Sequence, residues 1–372
     1  MREALAVLPR QVRSAPPVVG CSGGADSTAL VLAVRAVLDG PVHAAVVDHG
    51  LQDGSARRSA ALATRLRASG VDASVHAVEV GGAGGVEAAA RRARRAALLA
   101  ARPHPCSPVL LGHTLDDQAE TVLLGLARGS GARSLAGMRV WAEPWLRPLL
   151  GLHRADTLEF CARAGVEVWD DPHNADPRFT RARVRHEVLP LLEDVLGGGV
   201  AEALARTAGQ LRDDDDALAE RAARLRTDAG AAAAGPGPDG GTAPGATTDT
   251  ESEHDAHGGP AGRGDSGDSR SGDRPAPGAA ERSAGTAGEA VAAPLDAAVL
   301  ATAPAAVRRR VLREWLSEHG VRALTDAQLR AADDLVGRWR GQGGPTLGGG
   351  LELTRARGRL VLRHRCWGRD RA

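Results

Sequence analysis

The sequence predicts an α/β protein built on a parallel sheet covered on both faces, with a smaller, mainly helical domain behind it. Three observations carry that expectation. Short, continuous apolar runs such as "PVVGC", "HAAVVD" and "PVLL" alternate with longer Ala-, Leu- and Arg-rich stretches that contain no breaker. Strands buried on both faces read as unbroken hydrophobic runs, and their alternation with helices is the pattern of parallel crossovers. Polar residues gather just after three of the runs, at 22–27, 48–49 and 113–120, and open parallel sheets bind ligands beyond the carboxyl ends of their strands.

Taken in order, residues 17–21 read as a strand and Ser27 to Leu38 as the helix that follows it. "PVHAAVVDHG" (41–50) is a second strand ending at Asp48 and His49, a helix runs from about Ala56 to Ser69, and "ASVHAVEV" (73–80) is a third strand. The stretch 86–102 is helical, and "PVLLGHT" (108–114) is a strand opening into the helix "DDQAETVLLGLARG". A catalytic domain over 1–198 follows from this pattern. Residues 229–292 change character: Gly, Pro, Ser, Asp and Ala dominate and large apolar side chains are nearly absent. Such a segment cannot offset its ordering entropy and is expected to be a disordered insert. It splits a second domain, 199–228 with 293–372, in which a helix at 200–226 is joined by helices at 294–320 and 325–340 and a hairpin from about 345 onward.

The 372 residues carry a net charge of +1, so no global field dictates a nucleic-acid or membrane partner. The chain has no Lys and no Ile, and its 47 basic residues are all Arg. Cysteines stand alone at 21, 106, 161 and 366 with no CxxC, which suits a reduced compartment and argues against a structural zinc or iron–sulfur site. The N-terminus lacks the apolar core of a signal peptide, and no run reaches membrane-spanning length. A cytoplasmic protein with no membrane partner is expected.

In "SGGADS", Gly23 and Gly24 would let the backbone approach phosphate oxygens at a helix N-terminus, with Ser22 and Ser27 adding donors. Two glycines alone are equally consistent with a plain strand–helix turn. A Walker A loop is excluded because it requires a lysine. Asp26 is the odd element: a carboxylate beside phosphates repels them unless Mg²⁺ lies between.

This loop resembles the pyrophosphate-binding PP-loop of the ATP pyrophosphatases. Together with "VDHGL", "GHTLDDQAET", "RGSGARSLAGM" and "DDPHNADPRFTRARVRHEVLPLL", it makes the chain resemble the tRNA(Ile)-lysidine synthetases, densely over about residues 15–195. Ala182 stands where that family often has Asn, little length remains for the family's further C-terminal domain, and the resemblance makes the second domain, 199–228 with 293–372, a tRNA-binding one. The resemblance implies a PP-loop fold of the adenine nucleotide alpha hydrolase type, Rossmann-like in layout. It implies ligation of L-lysine to the wobble cytidine of the CAU-anticodon tRNA(Ile), by way of an adenylated base, with ATP and Mg²⁺ as cofactors and a homodimer as one arrangement. Residues Ser22, Gly23, Gly24, Ala25, Asp26 and Ser27 would cradle the nucleotide, with Asp26 holding the metal.

Asp117 and Glu120, three apart, and Asp116 and Glu120, four apart, can each share a helix face. Acids at a helix start also simply favour its dipole; beside a PP-loop, Asp117 and Glu120 become candidates for the lysine ammonium, with Asp117 or His113 as proton acceptor. Asp48 and His49 either border the adenosine or only shape their turn, and "RGSGARSLAGM" suits a mobile gate over the nucleotide. Arg91, Arg94 and Arg95, with Arg181 and Arg185, are candidates for RNA phosphates, although a charge run is commonly a solvated face. A PP-loop tRNA thiolase is the rival; it needs paired or cluster-forming cysteines. NAD and GMP synthetases share the loop but not the second half of the chain.

Overall fold

A computed structural model of the chain describes residues 1–82, 85–129, 131–169, 171, 175–235 and 290–365. Most of the expected insert (236–289), Cys366 and part of "DDPHN" lie outside the described residues. The chain divides into two compact units, Met1–Asp216 and Ala217–Ala372. The helix Val200–Ala234 runs across that division and continues into the first residues assigned from sequence to the insert.

In the first unit, strands β1 (Val18–Gly20), β2 (His43–Asp48), β3 (Asp72–Ala77), β4 (Val109–Leu110), β5 (Trp141–Ala142) and β6 (Trp145–Leu146) form one sheet in the order β3-β2-β1-β4-β6-β5. Every pairing is parallel except β5 with β6, so the expected parallel sheet is mixed at one edge. Strands of two residues leave no run for periodicity to detect, and β5 and β6 were not anticipated. The strands are apolar because both faces are covered: Val18, Val19, Ala44, Val109, Leu110 and Leu146 are fully buried. β4 is shorter than expected. The Leu111 amide still donates to Leu146 O (2.9 Å), after which the chain turns away at Gly112.

The chain order places a switch point at β1. Strands β2 and β3 build to one side of it and β4 to the other, so the connections leaving β1 and β4 part at the sheet's carboxyl edge. Those connections are the glycine loop and the start of the acidic helix. The helices Ala25–Val37, Ser55–Ala68, Gly85–Ala100 and Leu115–Ala127 stand within two residues of their expected starts.

The second unit pairs the helices Ala297–Ala301, Ala305–Glu318 and Asp326–Gly337 with an antiparallel sheet of β7 (Leu295–Asp296), β8 (Thr346–Leu347), β9 (Leu351–Ala356) and β10 (Arg359–His364), ordered β7-β10-β9-β8. The hairpin read from the sequence is thus the centre of a four-stranded sheet. The single helix expected over 294–320 is a strand and two helices. Asp296 ends the strand and caps the first helix by accepting from the Ala298 and Val299 amides, and Pro304 starts the second. Leu312, Trp315 and Leu316 fill the core with Leu335, Leu353 and Leu360.

Candidate active site

The glycine loop closes on its own serine. Gly23 sits at φ +86°, where only glycine is unstrained. The Ser27 hydroxyl donates to Gly24 O (3.0 Å), accepts from the Ser22 amide (3.1 Å) and lies 3.2 Å from Ser22 Oγ. Ser27 therefore holds the loop's shape from beneath, while Ser22 is the hydroxyl at its rim. The Trp169 amide ties the loop from outside by donating to Gly23 O (2.9 Å). Gly24 is the N-cap of the helix Ala25–Val37, whose first amides have no intrahelical acceptor. Gly112 lets the β4 connection pass close: a Cβ there would meet Asp26 O at 2.8 Å.

Asp26 lies in the first turn of that helix. Its Oδ1 accepts from Thr157 Oγ1 (2.5 Å), and its Oδ2 is 3.3 Å from Arg154 Nη1. Burial raises its pKa, with Thr157 and Arg154 pulling the other way. Both partners come from the helix Arg154–Arg163, which packs on Ala25–Val37 and was not read from the sequence.

The acidic helix Leu115–Ala127 opens with a reciprocal cap. Thr114 accepts from the Asp117 amide, and Asp117 Oδ2 accepts from the Thr114 amide (3.0 Å). Asp117 thus stabilises the helix start with one oxygen and turns the other outward. The two arginines expected on RNA meet it there. Arg181 donates to Glu120 Oε2 (2.6 Å) and to Asp117 Oδ1 (3.3 Å); Arg185 donates to Glu120 Oε1 (2.5 Å) and Asp117 Oδ1 (2.9 Å). Glu120 is fully buried. Arg181 and Arg185 stand four apart, on a helical turn Thr180–Arg183 that runs into a π-helical segment Val184–Val188. Two clusters that the sequence reading kept apart are one network of four charges. Asp116 is not in it: its Oδ2 accepts from the Arg154 amide (2.7 Å).

His113, between β4 and this helix, is driven by burial to a pKa of about 3 despite the nearby Asp117, and its Nδ1 has no partner among the described residues. It is neutral at physiological pH. Burial pushes the Asp117 carboxyl up, but Arg181, His113 and Arg185 outweigh it and bring Asp117 below the usual carboxylate range. His49 is lowered by burial and by Arg94, while Asp48 accepts from the Gly50 amide (3.0 Å) and shapes the turn.

From the helix Gly85–Ala100, Arg91 and Arg94 face the same network. Burial lowers both, and Arg181 is the next contributor for Arg91, as Arg91 is for Arg94. The Arg95 guanidinium lies 4.3 Å from the centre of the Trp145 ring. Burial beside Arg95 and Arg91 brings the unanticipated Arg147 to about 10. Five guanidiniums, those of Arg91, Arg94, Arg154, Arg181 and Arg185, thus act on Asp26 or Asp117, and Arg95 and Arg147 stand beside Arg91. Such a surplus of positive charge in a low-dielectric cleft is suited to polyanions. The loop 128–138 is pinned at its far end, where Gln118 exchanges two hydrogen bonds with the Met138 backbone (2.9 and 2.7 Å) and Arg212 donates to Ala136 O and Met138 O. Among the described residues, no group of three or more His, Cys, Asp or Glu is placed to share a metal ion.

Comparison with known proteins gives the family. The family model of the PP-loop domain matches residues 3–192, and that of the TilS substrate binding domain matches 295–361. A tRNA(Ile)-lysidine synthase of Nocardia farcinica is 50% identical over 94% of this chain and 92% of its own length. Proteins of that name from Rhodococcus erythropolis and Mycobacterium tuberculosis are 47% and 49% identical, each over 93% of this chain and 89% and 90% of their own lengths. A solved U34-tRNA thiolase, NcsA from Methanococcus maripaludis with its [4Fe-4S] cluster, aligns over 56% of this chain and 78% of that one at 17% identity, with a TM-score of 0.45, too slight a likeness to rest on. The PP-loop domain implies that the chain binds ATP. No helix among the described residues is long and apolar enough to cross a membrane. By its match to both domains and to relatives of nearly its own length, the chain belongs to the tRNA(Ile)-lysidine synthase family, ligases of tRNA processing that form a C–N bond.

Proposed function

We propose that the chain ligates L-lysine to C2 of the wobble cytidine (position 34) of a CAU-anticodon tRNA(Ile), in two steps at one site. The cytosine O2 attacks the α-phosphorus of ATP, the α–β anhydride bond breaks and pyrophosphate leaves. The lysine ε-amine then attacks C2, the C2–O2 bond breaks, AMP departs with that oxygen, and the amine gives up its protons. The observation that carries this reading is the place of Arg185. Its guanidinium bonds both Asp117 and Glu120 and also acts on the charge of Asp26, so the phosphate cradle and the acid pair lie in one field.

In this reading Ser22 and the amides from Gly23 to Ser27 receive the polyphosphate, whose leaving charge they are already oriented to stabilise. Asp26 would hold Mg²⁺. A single carboxylate at the loop's mouth, with no all-protein cage around it, suits an ion that takes its other ligands from substrate phosphates and water. When bound, the ion would neutralise the anhydride's charge. Asp117 and Glu120 receive the lysine ammonium, which must share or displace the guanidiniums of Arg181 and Arg185. His113 is the candidate proton acceptor, neutral and with Nδ1 open; the negative charge of a bound nucleotide raises its proton affinity. Arg91, Arg94 and Arg95 hold RNA phosphates, joined by Arg181 and Arg185 once they are released from the acids.

Multiple-turnover release of pyrophosphate tests the reading. It is expected only when ATP, lysine and a CAU-anticodon tRNA are all present. Turnover with a sulfur donor in place of lysine would instead support a thiolase, and ATP binding without turnover a nucleotide-binding protein.

A further inference from the structure

Arg147 follows β6 at the carboxyl edge of the sheet and is only 7% exposed. Two bonds to one stretch of chain fix it: its amide donates to Val140 O (2.8 Å) and its Nη1 to Arg139 O (2.9 Å). Its Nε is buried with no hydrogen-bond partner among the described residues, and Nη2 makes no bond there either. Nε and Nη2 form the side edge of the guanidinium, two parallel donors at the spacing of a carboxylate's oxygens. That edge is oriented before any ligand arrives, and it is open.

Its neighbours have counter-charges or a ring to lie on. Arg181 and Arg185 bond Asp117 and Glu120, Arg154 faces Asp26, Asp117 acts on Arg91 and Arg94, and Arg95 lies over Trp145. Arg147 differs from them. Burial and the like charges of Arg95 and Arg91 bring it to about 10, and no carboxylate among the described residues pulls the other way. It stays a cation at neutral pH. A buried cation without an anion is costly, and a bound anion removes that cost. His113 shows where the gap lies, because Asp117 and Arg147 both act on it, with opposite signs. The acid pair and the open guanidinium are the negative and positive poles on either side of one imidazole's field.

We propose that Arg147 is the α-carboxylate subsite for the amino-acid substrate, gripping through Nε and Nη2 the end of lysine opposite the amine held by Asp117 and Glu120. This rests on the proposed ligation of lysine and adds to it what tells an amino acid from a plain amine. A substrate with one carboxylate matches a site with one uncompensated charge. A phosphodiester of the RNA would have to bring its bulky backbone to a residue that is 7% exposed, whereas a carboxylate enters with the slim chain that carries it.

The test compares L-lysine with L-lysinamide, which keeps the side chain and the α-amine and replaces the carboxylate by a neutral amide. Amine-dependent AMP release is followed with ATP and a CAU-anticodon tRNA, for the full-length wild type, Arg147→Gln and Arg147→Lys. The wild type should favour lysine in kcat/KM by at least about thirtyfold, the scale of leaving one partner of a buried charge pair alone. Arg147→Gln should bring the two substrates close to parity, mainly by raising KM for lysine, while ATP and tRNA affinities stay those of the wild type. Arg147→Lys, which keeps the charge and loses the fork, should restore part of the preference. A wild type that uses both amines equally well would overturn the subsite with no variant needed. A lysine preference that survives in Arg147→Gln would overturn it too, and a loss of ATP or tRNA affinity in that same variant would assign Arg147 to a phosphate. A wild type that transfers neither amine to the tRNA would instead overturn the ligation reading, and this subsite with it.

Discussion

Burial raises the pKa of Asp26, and Thr157 and Arg154 only partly offset that. An acid whose folded pKa lies above its unfolded value loses stability on ionising, so at neutral pH this carboxylate costs the fold something. Asp26→Asn keeps the volume and removes that cost. It should abolish pyrophosphate release while Tm stays level or rises; normal turnover would take Asp26 out of the site. His113 and Asp117 have the opposite sign. Both have folded pKa values below their unfolded ones, so their contribution is complete above the unfolded values and is lost as pH falls. His113 governs the window from about pH 6.5 downward and Asp117 the window below about pH 4. The urea midpoint should therefore fall between pH 7 and pH 5, and His113→Gln should flatten that limb. An equally steep limb in the variant would assign it to other groups. Asp117→Asn leaves two guanidiniums facing Glu120 alone and should cost about 3 kcal/mol, the lower end for breaking a buried pair. It should raise KM for lysine and leave tRNA affinity nearly unchanged; lost tRNA binding with a normal lysine response would mean the acid pair does not hold the amine.

At the scale of elements, the close passage of the β4 connection over the glycine loop sets the cradle's depth. Gly112→Ala would put a Cβ 2.8 Å from the Asp26 carbonyl oxygen, and backbone on both sides leaves little to yield. A loss of about 1–3 kcal/mol is expected, with weaker ATP binding, checked by thermal melts with and without ATP. An unaltered ATP-induced shift in Tm would show that the loop tolerates the push. The parallel strands and their helices were legible because burial on both faces writes itself as apolar runs, and the glycine loop and acidic helix because they sit at strand ends. What was not legible is pairing at long range. Thr157 lies 131 residues from Asp26, and Arg181 lies 64 from Asp117; no local spacing announces that they meet. Arg181 and Arg185 could be read as cations, but not as cations already bonded to the acids. The edge hairpin of β5 and β6 escaped for a simpler reason, having two residues in each strand.

At the scale of the whole molecule, residues 237–288 carry almost no large apolar side chain. Their removal should leave stability within about half a kcal/mol, the range of surface changes, read as a superimposable denaturant curve; a cooperative loss of structure would show that the segment contributes to a core. The central claim is that this chain places lysine on tRNA, and nucleoside mass analysis of a CAU-anticodon tRNA(Ile) after incubation with ATP and lysine tests it most directly. The account predicts one cytidine heavier by a lysine less water, absent when lysine or ATP is withheld or when Asp26 is Asn. An unmodified cytidine under complete conditions, or a nucleoside carrying sulfur in place of oxygen, would contradict it.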